Sequence, residues 1–168
     1  MMTKRNTRLL ALLGGVFCMG LLGSAYVLEY GFDMEPCSLC LLQRWVFYSM
    51  MFVFFLLALH NPKRCGSLFY CIFLFILNTI GIALALRHLW VQYWAPADKA
   101  ISCTAGLQQL LESKPFLSAI KEVLLNSHDC SQIDTLFGLP LSMLSLMSFL
   151  MLLGWVVFLS VVQIKRRT

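Results

Sequence analysis

Charged residues are scarce in this sequence, and the motifs of several soluble enzyme classes are missing. Only 12% of the 168 residues are Asp, Glu, Lys or Arg, about half the fraction usual in soluble proteins, whereas 60% are hydrophobic. There is no glycine-rich phosphate loop, no Ser/His/Asp arrangement, no internal repeat and no low-complexity tract. These absences argue against a nucleotide-dependent enzyme, a serine hydrolase and a repeat protein.

Long apolar stretches dominate the chain instead. Four of them reach the length of about 20 residues that a membrane-spanning helix needs. They cover about 9–28, 41–59, 67–89 and 141–164. We therefore predict an all-α membrane protein, a four-helix transmembrane bundle that forms a single domain over 1–168. The alternative for the first stretch is a cleaved signal peptide, but its apolar run is about twice the length of a signal core, which favours a retained span.

Acidic residues are missing from one side of the predicted membrane. Eight basic residues flank the spans on that side, whereas all eight acidic residues fall in the two loops on the other side, about 29–40 and 90–140. The positive-inside rule then places both termini in the cytoplasm and both loops outside. The excess of basic residues behind the net charge of +5 is explained by their placement on the cytoplasmic side of the membrane. We therefore expect no nucleic-acid binding. The eight basic residues are Lys4, Arg5, Arg8, Lys63, Arg64, Lys165, Arg166 and Arg167.

The seven cysteines divide by side of the membrane. Cys37, Cys40, Cys103 and Cys130 lie in the outer loops, where disulfides persist. Four cysteines allow three connectivities. Closeness in sequence favours Cys37–Cys40 and Cys103–Cys130, and the other pairings stay open as intermediates. The remaining cysteines, interpreted as apolar fillers and a reduced thiol, are Cys18, Cys65 and Cys71.

A Cys-x-x-Cys pair, Cys37 and Cys40, stands where the second span begins. Such a pair is either a redox dithiol or half of a metal site. Pro36 suits the first turn of a helix, which places Cys40 near the positive end of the helix dipole. Arg44 follows one turn later on the same face. Both effects favour the thiolate, the reactive form of a thiol, although Arg44 is also placed to reach the lipid headgroups.

Aromatic and basic side chains gather at the outer ends of the spans. Trp45 and Tyr48 are typical of an interfacial belt, or they wall a site for a flat aromatic ligand. Arg87 and His88 either bind lipid phosphate or place a hydrogen-bond donor near a reducible ligand. In the long outer loop, apolar residues recur at helical spacing on both sides of Pro115. We expect two short amphipathic helices there, the second on the membrane surface or packed as a cap on the bundle.

These features together resemble the DsbB family of bacterial disulfide-bond formation proteins, over essentially the whole chain. The motif from Cys37 to Arg44 and the order of the two cysteine pairs carry the resemblance, and His88 lies about where the family often has a histidine. The resemblance implies a thiol:quinone oxidoreductase of the bacterial inner membrane, with its active cysteines on the periplasmic side. It would re-oxidise a DsbA-like thioredoxin-fold partner and so sustain disulfide formation.

The resemblance also implies a role for each outer cysteine. The partner's thiolate attacks the Cys103–Cys130 disulfide, at Cys103, and the partner leaves oxidised. The reduced loop pair then reduces the Cys37–Cys40 disulfide, with Cys130 and Cys37 as exchange partners. Cys40 finally passes the electrons to the quinone.

The electron acceptor can be argued from the residues as well. Two dithiols lie on the oxidising side of a membrane, and the chain has no room for a soluble domain that would carry a flavin, haem or nucleotide. Electrons must then leave through something in the bilayer, for which a quinone (ubiquinone or menaquinone) is the natural candidate. Arg44 would act electrostatically on it, and His88 as a hydrogen-bond donor.

Three alternatives compete with this interpretation. A vitamin K epoxide reductase-like enzyme also has four spans, but its loop cysteines precede the Cys-x-x-Cys pair. A zinc site would use Cys37, Cys40, Cys103 and either Cys130 or His128, although such thiols tend to oxidise outside the cytosol. A structural scaffold with stabilising disulfides predicts that the Cys37–Cys40 bond resists mild reduction.

Overall fold

The computed structural model describes residues 4–32, 36–60, 62, 64–94, 115–125, 135–136 and 139–165. These residues form five helices and one short strand pair. The strands β1 (Thr135–Leu136) and β2 (Leu139–Pro140) pair antiparallel directly before the last helix. The helices are α1 (Lys4–Gly31), α2 (Ser38–His60), α3 (Arg64–Trp94), α4 (Phe116–Leu125) and α5 (Leu141–Lys165).

Four helices, α1, α2, α3 and α5, are long and apolar enough to cross a membrane, which confirms the predicted all-α bundle of four spans. Each helix is longer than the apolar stretch that predicted it. The 31 residues of α3 make a helix roughly 46 Å long, whereas the hydrocarbon core of a bilayer is about 30 Å thick. Its ends therefore project beyond the hydrocarbon, where hydropathy no longer marks them.

The four spans pack as a ring. Helix α1 packs on α2, α2 on α3, α3 on α5, and α5 returns to α1. Met50 and Phe54 of α2, Leu74 of α3 and Phe149 of α5 are fully buried in the core between them. Phe47 of α2 stacks on Phe149 across the ring, with 4.3 Å between the ring centroids. This packing fixes the rotation of each helix and so decides which side chains meet at its ends.

Gly81 allows α3 to approach α5 closely. A Cβ atom at this position would lie 2.6 Å from both Cδ1 and Cζ of Phe149. Ordinary contacts between carbon atoms are about 3.5–4.0 Å. The missing side chain therefore makes room for the Phe149 ring.

Helices α1 and α3 end at the same end of the bundle where α2 and α5 begin, and we call this the cysteine end. Pro36 precedes α2, and the amide of Leu41 donates to the carbonyl of Cys37 over 3.1 Å. Cys37 therefore caps the helix, and Cys40 lies in its first turn, as its position after Pro36 predicted.

Helix α4 packs on the cysteine end through one face. Its buried Ala119 and Val123 contact a cluster that includes Leu39, Leu42 and Val91. Leu117, on the opposite side of the helix, is exposed and apolar, which suits the predicted place at a membrane surface. Phe116, at the start of the helix and on the same side as Val123, is also exposed. The amphipathic helix predicted before Pro115 lies outside the described residues.

Candidate functional site

Two cysteines of α2 form the centre of the site. The Sγ atoms of Cys37 and Cys40 lie 3.1 Å apart, and both side chains are partly buried. Both are thiols here, so the structure shows the predicted Cys37–Cys40 pair in its dithiol form. Since a disulfide bond is about 2.05 Å long, the sulfurs need to approach by about 1 Å to form it. Cys103, Cys130 and their predicted disulfide lie outside the described residues.

Helix α3 brings His88 to the two sulfurs. Its ring is buried, with 2% of the residue exposed. The Nε2 atom lies 3.7 Å from Cys37 Sγ, and the Nδ1 atom lies 4.0 Å from Cys40 Sγ. The structure therefore places His88 next to the dithiol, and its predicted role as a donor to a reducible ligand stays a prediction.

Two further polar residues hold the His88 ring. Gln92, one turn later in α3, has its Nε2 atom 3.3 Å from His88 Nε2. Ser142, in the first turn of α5, donates a hydrogen bond to Gln92 Oε1. In this orientation of the Gln92 amide its N–H group faces the ring, so His88 Nε2 accepts and the ring proton resides on Nδ1. The Nδ1–H group then faces Cys40.

Gln43 offers a buried donor on the same turn of α2 as Cys40. The residue is 4% exposed, and its Oε1 atom accepts a hydrogen bond from Ser145 of α5. Its Nε2 atom has no hydrogen-bond partner among the residues that the structure describes. An unpaired buried amide N–H is costly, so this donor is available to a ligand with a carbonyl oxygen.

Arg44 is held by α1. Its guanidinium forms an ion pair with Glu29, and the two side chains are only 13% and 23% exposed. A second guanidinium nitrogen lies 3.4 Å from the carbonyl of Ala25, and the group covers the ring of Tyr26 at 5.2 Å. Glu29 thus compensates the charge of Arg44 that was predicted to act on Cys40 and on the quinone. The sequence signal for Glu29 was an isolated acid at the end of an apolar span.

The aromatic residues of the cysteine end are partly exposed. Trp45 stacks on Phe116 of α4, with centroids 6.0 Å apart, and Tyr48 donates to the hydroxyl of Tyr26 over 2.8 Å. Both arrangements are compatible with an interfacial belt. Arg87, which was predicted either to bind phosphate or to face the site, donates to the carbonyl of Leu124 over 3.1 Å and so satisfies the C-terminal end of α4.

Known proteins of disulfide bond formation are similar to this chain in sequence. Residues 7–159 match the family model described as disulfide bond formation protein DsbB. The chain belongs to the DsbB family. A disulfide bond formation protein B from Methylobacillus flagellatus is 40% identical over 139 residues, which cover 82% of each chain. Those from Hahella chejuensis (38% over 132 residues, 78% of this chain and 79% of the relative) and Xanthomonas campestris pv. campestris (36% over 149 residues, 88% and 86%) are also similar.

Membership of the DsbB family confirms the resemblance that was drawn from the Cys37–Arg44 motif. The protein is therefore a multi-pass membrane protein of disulfide bond formation, and the family name implies a disulfide oxidoreductase. This family assignment replaces the alternative of a vitamin K epoxide reductase-like enzyme. The matched region includes both cysteine pairs in the sequence.

Proposed function

We propose that the protein is a dithiol:quinone oxidoreductase of the bacterial inner membrane. It re-oxidises a periplasmic DsbA-like partner and passes the electrons to the membrane quinone pool. The observation that carries this proposal is the reactive geometry of Cys37, Cys40 and His88 at one end of a four-span bundle. In the part of the chain that the structure describes, the dithiol lies at the end of membrane-spanning helices, which a lipid-soluble acceptor reaches from the bilayer.

The proposed exchange begins at the loop pair. The partner's thiolate attacks Cys103 of the Cys103–Cys130 disulfide, and the partner's second cysteine resolves the mixed disulfide. Cys130 then attacks Cys37 of the Cys37–Cys40 disulfide and releases Cys40 as a thiolate. Cys103 attacks Cys130 in turn, which restores the loop disulfide and leaves Cys37 reduced. The two electrons of the partner now reside on the Cys37–Cys40 dithiol.

Two features near Cys40 are suited to stabilise a thiolate leaving group. The sulfur lies in the first turn of α2, where the unpaired amides of the helix carry partial positive charge. The Nδ1–H group of His88 faces it at 4.0 Å, held there through Gln92. A hydrogen bond to the charged form of a group stabilises that form, so these contacts favour the thiolate at the moment it appears.

The residues around the dithiol fit a quinone. A quinone accepts two electrons and two protons, which are the electrons and protons that two thiols release on forming a disulfide. The unpartnered Nε2 of Gln43 is a donor for a ring carbonyl. Arg44 follows it in α2 and, paired with Glu29, places a guanidinium near the same end of the helix. An apolar cluster that includes Leu39 and Leu42 of α2 packs against Cys37 beside the dithiol. Ubiquinone and menaquinone both carry ring carbonyls, so these groups fit either quinone.

The direction of electron flow follows from reduction potentials. DsbA-type oxidants have a potential of about −120 mV, and for two electrons about 30 mV corresponds to about 1.4 kcal/mol. The potential of a glutathione pool is well below that value, so glutathione disulfide cannot re-oxidise such a partner. A respiratory quinone has a potential above it and can.

Quinone reduction by the purified protein in detergent tests the proposal, with a reduced DsbA-like protein as electron donor. We expect one quinone reduced per dithiol oxidised. Cys40→Ala should abolish turnover, whereas Cys18→Ala, which alters a buried cysteine of α1 away from the site, should retain it. Absence of turnover in the unaltered protein with both ubiquinone and menaquinone would refute the proposal.

A further inference from the structure

Three soft ligand atoms meet at the cysteine end. The two sulfurs of Cys37 and Cys40 and a ring nitrogen of His88 all lie within 4.8 Å of one another. Thiolates and imidazole are the preferred ligands of zinc and related thiophilic cations. We propose that the reduced protein binds one thiophilic metal ion, with Zn²⁺ as the reference case, through Cys37, Cys40 and His88. This ion would hold the dithiol in its reduced state and block turnover, a regulation that rests on the function proposed above.

The observed distances are close to those of a tetrahedral zinc site. Bonds of about 2.3 Å to sulfur and about 2.0 Å to nitrogen place two sulfurs about 3.8 Å apart and a sulfur about 3.5 Å from a nitrogen. The Cys37–Cys40 separation is 3.1 Å. His88 Nε2 lies 3.7 Å from Cys37 Sγ and His88 Nδ1 lies 4.0 Å from Cys40 Sγ, and a single ring nitrogen lies within 4.8 Å of both sulfurs. Metal binding therefore requires the sulfurs to separate by about 0.7 Å, which rotation of two side chains in the first turn of a helix provides. Water supplies the fourth ligand, as in open zinc sites.

The residues behind His88 suit a ligand histidine. Metal-bound histidines nearly always hold a hydrogen bond on their other ring nitrogen, which fixes the ring. If Nδ1 binds the metal, Nε2 carries the proton and needs an acceptor. Rotation of the Gln92 amide by 180° would present its oxygen to His88 Nε2 as the acceptor. The amide nitrogen would then face Ser142, whose hydroxyl can accept a hydrogen bond as well as donate one.

The charge of the site also matches a divalent cation. Two thiolates balance Zn²⁺, and the neighbouring Arg44 and Glu29 already neutralise each other. A neutral complex avoids the penalty of a net charge in a partly buried place. Binding displaces two thiol protons into solvent.

Redox state controls the proposed site. In the Cys37–Cys40 disulfide neither sulfur is a thiolate, so the oxidised protein lacks two of the three ligands. A bound metal in turn occupies the sulfurs that must form the disulfide when electrons leave. Metal binding and electron transfer therefore exclude each other.

The test is a metal titration of the full-length protein in detergent, reduced with a phosphine under anaerobic conditions. Co²⁺ is the probe, since thiolate ligation gives a thiolate-to-cobalt charge-transfer band, and Zn²⁺ then displaces it. The Cys103→Ser/Cys130→Ser variant removes the loop thiols and leaves the proposed ligands. We expect one metal per reduced protein in this variant, none after oxidation, loss of the band with Cys40→Ser, and at least tenfold weaker binding with His88→Ala.

Protection from alkylation is a second readout, and it needs no substitution of the three proposed ligands. Zn²⁺ should protect Cys37 and Cys40 of the Cys103→Ser/Cys130→Ser variant from alkylation by a maleimide, and a chelator should restore the reaction. Metal bound equally by reduced and oxidised protein, or binding that survives Cys40→Ser or depends on Cys103 and Cys130, would overturn the inference. The titration uses neither quinone nor partner. Failure of metal binding with normal turnover thus refutes this inference alone, and normal metal binding without turnover refutes only the proposed function.

Discussion

The contact between Gly81 and Phe149 makes a quantitative prediction about the packing that supports the site. In Gly81→Ala the new methyl group would overlap the Phe149 ring, since its carbon would lie 2.6 Å from two ring atoms. The ring cannot retreat easily, because Phe149 is fully buried and stacked on Phe47 at 4.3 Å. One element must move by about 1 Å. Overpacking of this kind costs about 1–3 kcal/mol, and we expect the upper end.

The assay is reversible unfolding in mixed micelles of increasing SDS content, followed by circular dichroism. Gly154→Ala is the matched control, because a Cβ atom at Gly154 of α5 meets no other atom within 4 Å. Gly81→Ala should lower the free energy of unfolding by about 3 kcal/mol, whereas Gly154→Ala should change it by less than about 0.5 kcal/mol. Equal stability of the two variants would refute the close packing of α3 on α5.

A double substitution separates the clash from other effects. Phe149→Leu gives the new methyl group space, so Gly81→Ala should cost less in that background. We expect a favourable coupling of about 1–2 kcal/mol between the two substitutions. Strict additivity would show that the cost of Gly81→Ala does not come from the Phe149 ring.

Three further substitutions probe the polar contacts of the cysteine end. Glu29→Gln removes the charged partner of Arg44 and should lower the free energy of unfolding by about 1–3 kcal/mol in the same assay; an unchanged value would show that the pair contributes nothing. Gln43→Leu removes the unpartnered donor and should raise the KM for quinone about 2- to 10-fold at unchanged kcat, and a normal KM would exclude Gln43 from quinone binding. Gln92→Leu frees the His88 ring and should lower the kcat of quinone reduction about 10- to 100-fold, with nitrogen NMR showing loss of the Nδ1–H tautomer; a retained tautomer would contradict the proposed relay from Ser142.

Much of the fold was predictable because each span carries its own signal. An apolar run of sufficient length must be helical in a bilayer, since no water can satisfy its backbone. Pro36 predicted a helix start close to the observed one at Ser38, although Pro36 itself precedes the helix, and with it the place of Cys40 in the first turn. The helix ends were underestimated, because hydropathy marks only the part inside the hydrocarbon.

The contacts between spans were less predictable, because they depend on how each helix is rotated about its axis. Glu29 and Arg44 are 15 residues apart, and Ser142 and Gln92 are 50 apart. Nothing in the local pattern of either segment indicates its partner. His88 was singled out because a basic pair at that end opposed the charge bias, but its contact with both sulfurs required the packing of α3 on α2.

The central claim is that the dithiol at the start of α2 delivers electrons to the quinone. A single-turnover experiment with the Cys103→Ser/Cys130→Ser variant isolates that step, because only Cys37 and Cys40 remain as outer thiols. The variant is reduced, freed of reductant and mixed with quinone without any partner. Our account predicts one quinone reduced per protein, with a Cys37–Cys40 disulfide formed at the same rate. A dithiol that stays reduced in the presence of excess quinone would contradict it.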